Sequence, residues 1–149
     1  MRLLLAVAIA AMGAGASLAA AQVVTDGDTL RMDGKTYRLW GIDAPESRQA
    51  CLNGWPAGRM ATARLQELVA GKYVVCERAG SDQYGRTLAV CTVCGEDLGA
   101  VMVREGLAWA FRRYSDDYVQ DEAQAKAAGL GVHAHACEPA WEWRANKGR

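Results

Sequence analysis

Four acidic residues crowd a short stretch near the start of the chain: Asp26, Asp28, Asp43 and Glu46. Arg38 lies among them, and Arg86 follows a Gly some forty residues on. Carboxylates are hard oxygen ligands and suit Ca²⁺ or Mg²⁺ rather than a soft metal. The planar guanidinium matches phosphate oxygens and keeps its charge near neutral pH. Acids and arginines together therefore point to metal-assisted phosphoryl chemistry. Taken singly each feature has a plainer reading: Asp26-Gly27-Asp28 is ordinary turn chemistry, and the two arginines could be structural salt-bridge partners of the acids. An EF-hand is excluded. With Asp26 as the first loop position, positions five and six are Leu30 and Arg31, where an oxygen ligand and Gly are required.

These residues must be held by a small framework. Val23-Val24-Thr25 is a short β-favouring run, Asp26-Gly27-Asp28 a turn or bulge, and Thr29–Met32 a strand. Asp33-Gly34 is a hairpin signal leading into a strand over 35–42, which Pro45 ends because it has no N–H for a ladder. Arg38 and Asp43 are five apart, so a regular strand would place them on opposite faces. The strand must bend or end near Gly41. A helix follows over 56–70, with Pro56 in its first turn, Ala61, Leu65 and Leu68 on one face, and Gly71 after its end. The runs 72–76 and 87–93 form a hairpin. A second helix starts at Asp97 as N-cap, buries Leu98, Val101 and Met102, and stops at Gly106. A third opens at Ser115-Asp116-Asp117 and ends at Gly129; the tail carries Trp141 and Trp143, expected to dock on the body. The fold class is α+β with a mostly β core: a five-stranded barrel of the oligonucleotide-binding type with three helices.

Composition limits the partners. The chain has 149 residues, with 17 Lys plus Arg against 17 Asp plus Glu, so nucleic-acid binding through bulk positive charge is excluded and any phosphate recognition is local. Two His leave few candidates for histidine-based mechanisms. Residues 1–21 read as a signal peptide: Arg2, the apolar run from Leu3 to Met12, and Ala19-Ala20-Ala21 at the cleavage positions. The apolar run is too short for a comfortable membrane span of about 20 residues. The expected mature domain is 22–149, secreted or periplasmic, without stable membrane association and monomeric.

Export places five cysteines in an oxidising compartment. Cys76 and Cys91 lie on the two runs of the expected hairpin, where a cross-strand bridge has a plausible spacing. Cys51 with Cys137 is the weaker second pairing, leaving Cys94 free. A zinc site from Cys91-x-x-Cys94 with His133, His135 and Cys137, or a redox Cys-x-x-Cys, are the alternatives.

Three ordered motifs give a more specific reading: Asp26-Gly27-Asp28-Thr29, then Arg38-Leu39-Trp40-Gly41-Ile42-Asp43-Ala44-Pro45-Glu46, then Asp82-Gln83-Tyr84-Gly85-Arg86. With 103–108 and 122–126 in the later helices, the sequence resembles the staphylococcal nuclease family over about residues 23–133. The resemblance implies a Ca²⁺-dependent phosphodiesterase acting on DNA and RNA. It implies that Asp28 and Asp43 bind the metal through their carboxylates and Ala44 through its main-chain carbonyl, where relatives often have Thr. Asp26 would stand beside the ion, bound through water. Glu46 would act as general base on, or orient, the attacking water, and Arg38 and Arg86 would stabilise the charge building on the phosphoryl oxygens. Tyr84 would line the nucleotide pocket, and Tyr114 is a further candidate for stacking on a base. Relatives often carry Trp where this chain has Gly131-Val132-His133, so His133 is expected to be a packing substitute. Rival readings are a nucleic-acid-binding barrel that has lost catalysis, and an exported Ca²⁺-binding or redox accessory protein.

Overall fold

A computed structural model describes residues 21–147; the expected leader, apart from Ala21, lies outside them. The first three strands are β1 (Val23–Asp26), β2 (Thr29–Met32) and β3 (Lys35–Leu39). They form an antiparallel meander with a bulge between Val24 and Asp26. Asp33 and Gly34 both take positive φ, 49° and 74°, as a tight hairpin demands. β5 (Val74–Ser81) and β6 (Thr87–Val93) make the second hairpin, and β6 runs parallel to β3. The order β1-β2-β3-β6-β5 is the five-strand pathway expected for the oligonucleotide-binding type. A two-residue strand β7 (Glu96–Asp97) adds to β6.

The strand expected over 35–42 ends at Leu39. Gly41 has φ 68°, a left-handed conformation that ordinary side chains avoid. The chain then resumes as β4 (Ile42–Asp43), paired with the short β8 (Trp109–Ala110) in a separate two-stranded sheet. This break lets Arg38 and Asp43 meet although they stand five apart in sequence.

Helix α1 (Ala57–Val69) buries Ala57, Ala61, Leu65 and Val69. Helix α2 (Leu98–Arg104) starts as expected, with the Asp97 carboxylate accepting from the Gly99 and Ala100 N–H groups. Helix α3 (Val119–Ala127) starts later than its polar signal, because Ser115 Oγ accepts from Asp117 N–H in the preceding turn. A 3-10 turn spans Gly131–His133, with His133 Nε2 buried and unpartnered. A fourth helix, α4 (Ala140–Lys147), adds to the three expected. Trp141 docks edge-on to Trp109 and tilted against Phe111, whereas Trp143 faces Lys147 of its own helix.

The main core is built from Leu30, Leu39, Ile42, Leu65, Leu98 and Met102, all essentially inaccessible. A smaller cluster of Cys51, Ala57, Trp109, Val132 and Ala140 seats the C-terminal segment. Disulfides join Cys76 to Cys91 and Cys51 to Cys137, and Cys94 is free and exposed. Cys91 and Cys137 therefore sit in separate bridges, which removes the zinc and redox Cys-x-x-Cys readings. None of the described helices is long and apolar enough to cross a membrane.

Candidate active site

The bulge at the end of β1 and the break after β3 aim acidic side chains at one place. Pairing of Thr29 with Arg38 across β2 and β3 brings Asp28 beside the Arg38 guanidinium. Arg38 Nη1 lies 2.5 Å from Asp28 Oδ1, and Arg38 Nη2 donates to Asp43 Oδ1 at 2.8 Å. One fork thus joins two carboxylates from different strands, with Asp43 wholly inaccessible and Asp28 and Arg38 nearly so. Burial works against the charged guanidinium, but the two carboxylates more than offset it and raise the Arg38 pKa. The structural salt bridge and the placement in the acid cluster are therefore the same feature, not alternatives.

Asp28 is further tied down by Thr29 Oγ1, which donates to Oδ1 at 2.9 Å, and by the Ala44 N–H, which donates to Oδ2 at 2.9 Å. Asp26 stays outside the guanidinium network; its Oδ1 accepts from the Asp28 N–H at 3.2 Å. Burial, and then the neighbouring Asp28 charge, push the Asp26 carboxyl up to about 6.

Glu46 is carried on the loop that follows β4. That loop packs on the first turn of α1 so closely that a Cβ at Gly58 would stand 1.8 Å from the Glu46 carbonyl oxygen. Buried Gln49 braces the same loop, its Oε1 accepting from the Glu46 N–H at 3.1 Å.

Arg86 comes from the turn between β5 and β6. Asp82 Oδ1 accepts from the Tyr84 and Arg86 N–H groups, and Asp82 Oδ2 from Arg86 Nε at 2.6 Å. Burial alone would raise the Asp82 pKa, but these donors outweigh it and hold it low. Among the described residues the terminal Nη groups of Arg86 have no protein partner. The exposed Tyr84 ring lies under the Arg86 guanidinium at 5.6 Å. Tyr114 stacks on Trp40 with centroids 5.5 Å apart and meets Phe111 edge-on. Tyr114 is 39% exposed.

All of the expected site residues except Asp43, which is buried beneath, line one open cleft of about 580 Å³, from Asp26 and Asp28 through Arg38, Ala44 and Glu46 to Tyr84, Arg86 and Tyr114. Arg113 lines it too, whereas Arg112 pairs with Asp116 on the surface. Arg144 of α4 was missed in the sequence. It grips Asp43 with both terminal nitrogens, Nη1 to Oδ1 at 3.1 Å and Nη2 to Oδ2 at 2.8 Å, and reaches Glu46 Oε1 through Nη1 at 2.7 Å. No motif announced it; the nearest signal was the pair of tail tryptophans that dock its helix.

The oxygen set suits a hard divalent cation. Asp28 Oδ2 and Asp43 Oδ2 each accept one hydrogen bond and keep a lone pair. The Ala44 carbonyl accepts none among the described residues. Among those residues no three acidic, His or Cys side chains converge on one point. A cation here would draw on two carboxylates, with main-chain oxygen and water completing the set, a donor set open to Ca²⁺ and Mg²⁺ alike.

Comparison with known proteins accords with this geometry. The family described as staphylococcal nuclease homologue matches residues 36–135. An uncharacterised endonuclease of Haemophilus influenzae is 38% identical over 130 residues, covering 81% of this chain and 69% of that protein. An uncharacterised endonuclease of Escherichia coli O157:H7 is 38% identical over 133 residues, covering 83% and 82%. A micrococcal nuclease of Shigella flexneri is 35% identical over 141 residues, covering 81% and 76%.

Proposed function

The chain belongs to the family of staphylococcal nuclease homologues, hydrolases of the nuclease class, and on that premise we propose that it is an exported Ca²⁺-dependent phosphodiesterase acting on DNA and RNA. The observation that carries this reading is the fork of Arg38 across Asp28 and Asp43, in a cleft that also holds Glu46, Arg86 and Tyr84. Asp28, Asp43 and the Ala44 carbonyl would hold the ion, with Asp26 beside it. Bound there, Ca²⁺ would supply a Lewis acid that neutralises phosphoryl charge.

A phosphodiester is already anionic, so attack by water must overcome charge repulsion. Arg86 presents unpartnered Nη groups to the cleft and donates to phosphoryl oxygens as charge builds on them. Arg38 adds a second fixed positive charge beneath the reacting centre. Both act more strongly on the transition state than on the ground state, which is where acceleration comes from. Glu46 Oε2 accepts no hydrogen bond from the described residues, so it is free to orient water and take its proton. Tyr84, exposed on the cleft, would line the nucleotide pocket, and Tyr114 would stack on a base. Two disulfides, one of them buried in the hairpin, support residence in an oxidising compartment.

Digestion of plasmid DNA and of RNA tests this directly. Products in Ca²⁺, and none in excess chelator, are expected. Binding without cleavage would point instead to a barrel module that has lost catalysis.

A further inference from the structure

We infer that Arg144 is a positioning residue of the reaction, a guanidinium delivered from the C-terminal helix that locks the carboxylates of Asp43 and Glu46 in one relative arrangement. The inference rests on the nuclease reading of the same cleft. Its ground is the two-sided grip: both Nη groups on the two oxygens of Asp43, and Nη1 shared with Glu46. A bidentate charge-assisted contact fixes direction as well as distance. Asp43 is buried, so its orientation otherwise depends on Arg38 alone.

The helix that carries Arg144 is held by several independent ties. The Cys51–Cys137 bridge links the segment after Glu46 to the residue three before α4. Buried Gln49 donates from Nε2 to the Glu138 carbonyl at 2.7 Å while its Oε1 holds the Glu46 N–H. One side chain therefore fastens the base-bearing loop to the lead-in of α4. Ala140 is buried, and Trp141 packs against Trp109 and Phe111. Such ties suit a device whose purpose is orientation.

A plug would look different. A carboxylate oxygen has two acceptor positions. Among the described residues Asp43 Oδ1 uses both, for Arg38 and Arg144, but Oδ2 uses one and Glu46 Oε2 uses none. Arg144 steers these groups and leaves each a lone pair with no donor among the described residues. Groups that orient the carboxylates of a metal site commonly carry 10–100-fold effects when removed.

The test compares the wild-type chain with Arg144→Ala, Arg144→Gln and Arg144→Lys. It uses a fluorogenic DNA oligonucleotide in saturating Ca²⁺ well below each melting temperature, with Ca²⁺ affinity read by calorimetry. The expected result for Ala and Gln is a kcat loss of about 10–100-fold with KM within about threefold. Lys restores part of the turnover, because it keeps the charge but not the fork. Ca²⁺ affinity does not tighten. A folded Ala or Gln variant with wild-type kcat, its loss confined to melting temperature, overturns the inference in favour of a structural tie. Raised turnover with tenfold tighter Ca²⁺ binding overturns it in favour of a plug. Failure of the nuclease reading shows separately, as a wild-type chain inert in Ca²⁺, and takes the inference with it.

Discussion

Replacing Arg38 by Met keeps much of the side-chain volume and removes the charge between Asp28 and Asp43. Breaking a buried ion pair typically costs about 3–5 kcal/mol, because the partner is left uncompensated. Both carboxylates here keep other donors: Asp28 has Thr29 Oγ1 and the Ala44 N–H, and Asp43 has Arg144. The cost should therefore fall at the low end, about 3 kcal/mol. For a domain of this size one kcal/mol moves the melting temperature by about 4 °C, so the expected drop in chelator is about 12 °C. Arg86→Met supplies the contrast. Its side chain is 31% exposed, and Asp82, its one carboxylate partner among the described residues, is 4% exposed but keeps the Tyr84 and Arg86 N–H donors. Loss of such a pair costs at most about 1 kcal/mol, or about 4 °C. Both variants should nevertheless lose about 10²–10³-fold in turnover, the usual effect of removing one donor to developing negative charge. Saturating Ca²⁺ should narrow the melting deficit of Arg38→Met, since the cation compensates the same carboxylates. Differential scanning calorimetry with and without Ca²⁺, beside kcat, reads all of this. An Arg38→Met chain melting within about 3 °C of wild type in chelator would refute the buried network on which the site description stands.

Gly58→Ala should lower both stability and kcat, because its Cβ would lie 1.8 Å from the Glu46 carbonyl oxygen and push the Glu46-bearing loop away; melting and steady-state assays of that variant check it. Asp26 holds its proton up to about pH 6 when folded but only to about 3.8 when unfolded. The folded chain then binds more protons between those values, so metal-free stability falls as pH rises through about 4 to 6. Asp26→Asn should flatten that slope and raise the melting temperature at pH 7 in chelator, as thermal scans across pH will read. Replacing both Cys76 and Cys91 by Ala opens a loop of sequence separation 15 and should cost about 3 kcal/mol in denaturant melts. Turnover should stay near wild type, since neither residue lines the cleft. Replacing Cys51 and Cys137 by Ser should instead lower kcat with that of Arg144→Ala, because that bridge anchors the lead-in to α4.

The residues that carried most of the fold in the sequence were those with local consequences. Asp97 announced α2 because a cap needs only its own carboxylate and the next N–H groups. Asp33-Gly34 announced a hairpin because the turn requires positive φ. Gly41 was legible only in combination: neither it nor the spacing of Arg38 and Asp43 meant much alone, yet together they demanded the break that the structure contains. The hairpin cysteines paired for the same local reason.

What was illegible depends on distant partners. β8 is two residues long, Trp109 and Ala110, too short to show alternation, and it exists because β4 lies opposite. The polar run at Ser115 has the composition of a helix start, but its hydroxyl is spent within the turn preceding α3. α4 has a weakly apolar sequence with Trp141 and Trp143 two apart, which no single helical face can bury. Docking on Trp109 and the Cys51–Cys137 bridge position it. Arg144 inherits that invisibility, since its partners Asp43 and Glu46 lie about a hundred residues away in the chain.

Under the proposed function, the acid cluster under Arg38 binds Ca²⁺ and hydrolysis depends on that ion. Calorimetric titration of Ca²⁺ into the wild-type chain and into Asp28→Asn and Asp43→Asn, with cleavage of plasmid DNA followed in the same samples, tests it most directly. The expected result is one Ca²⁺ per wild-type chain, cleavage rising with its occupancy, and loss of both in either Asn variant that remains folded. Cleavage in excess chelator, or Ca²⁺ binding and cleavage undiminished in a folded Asp43→Asn chain, would contradict it.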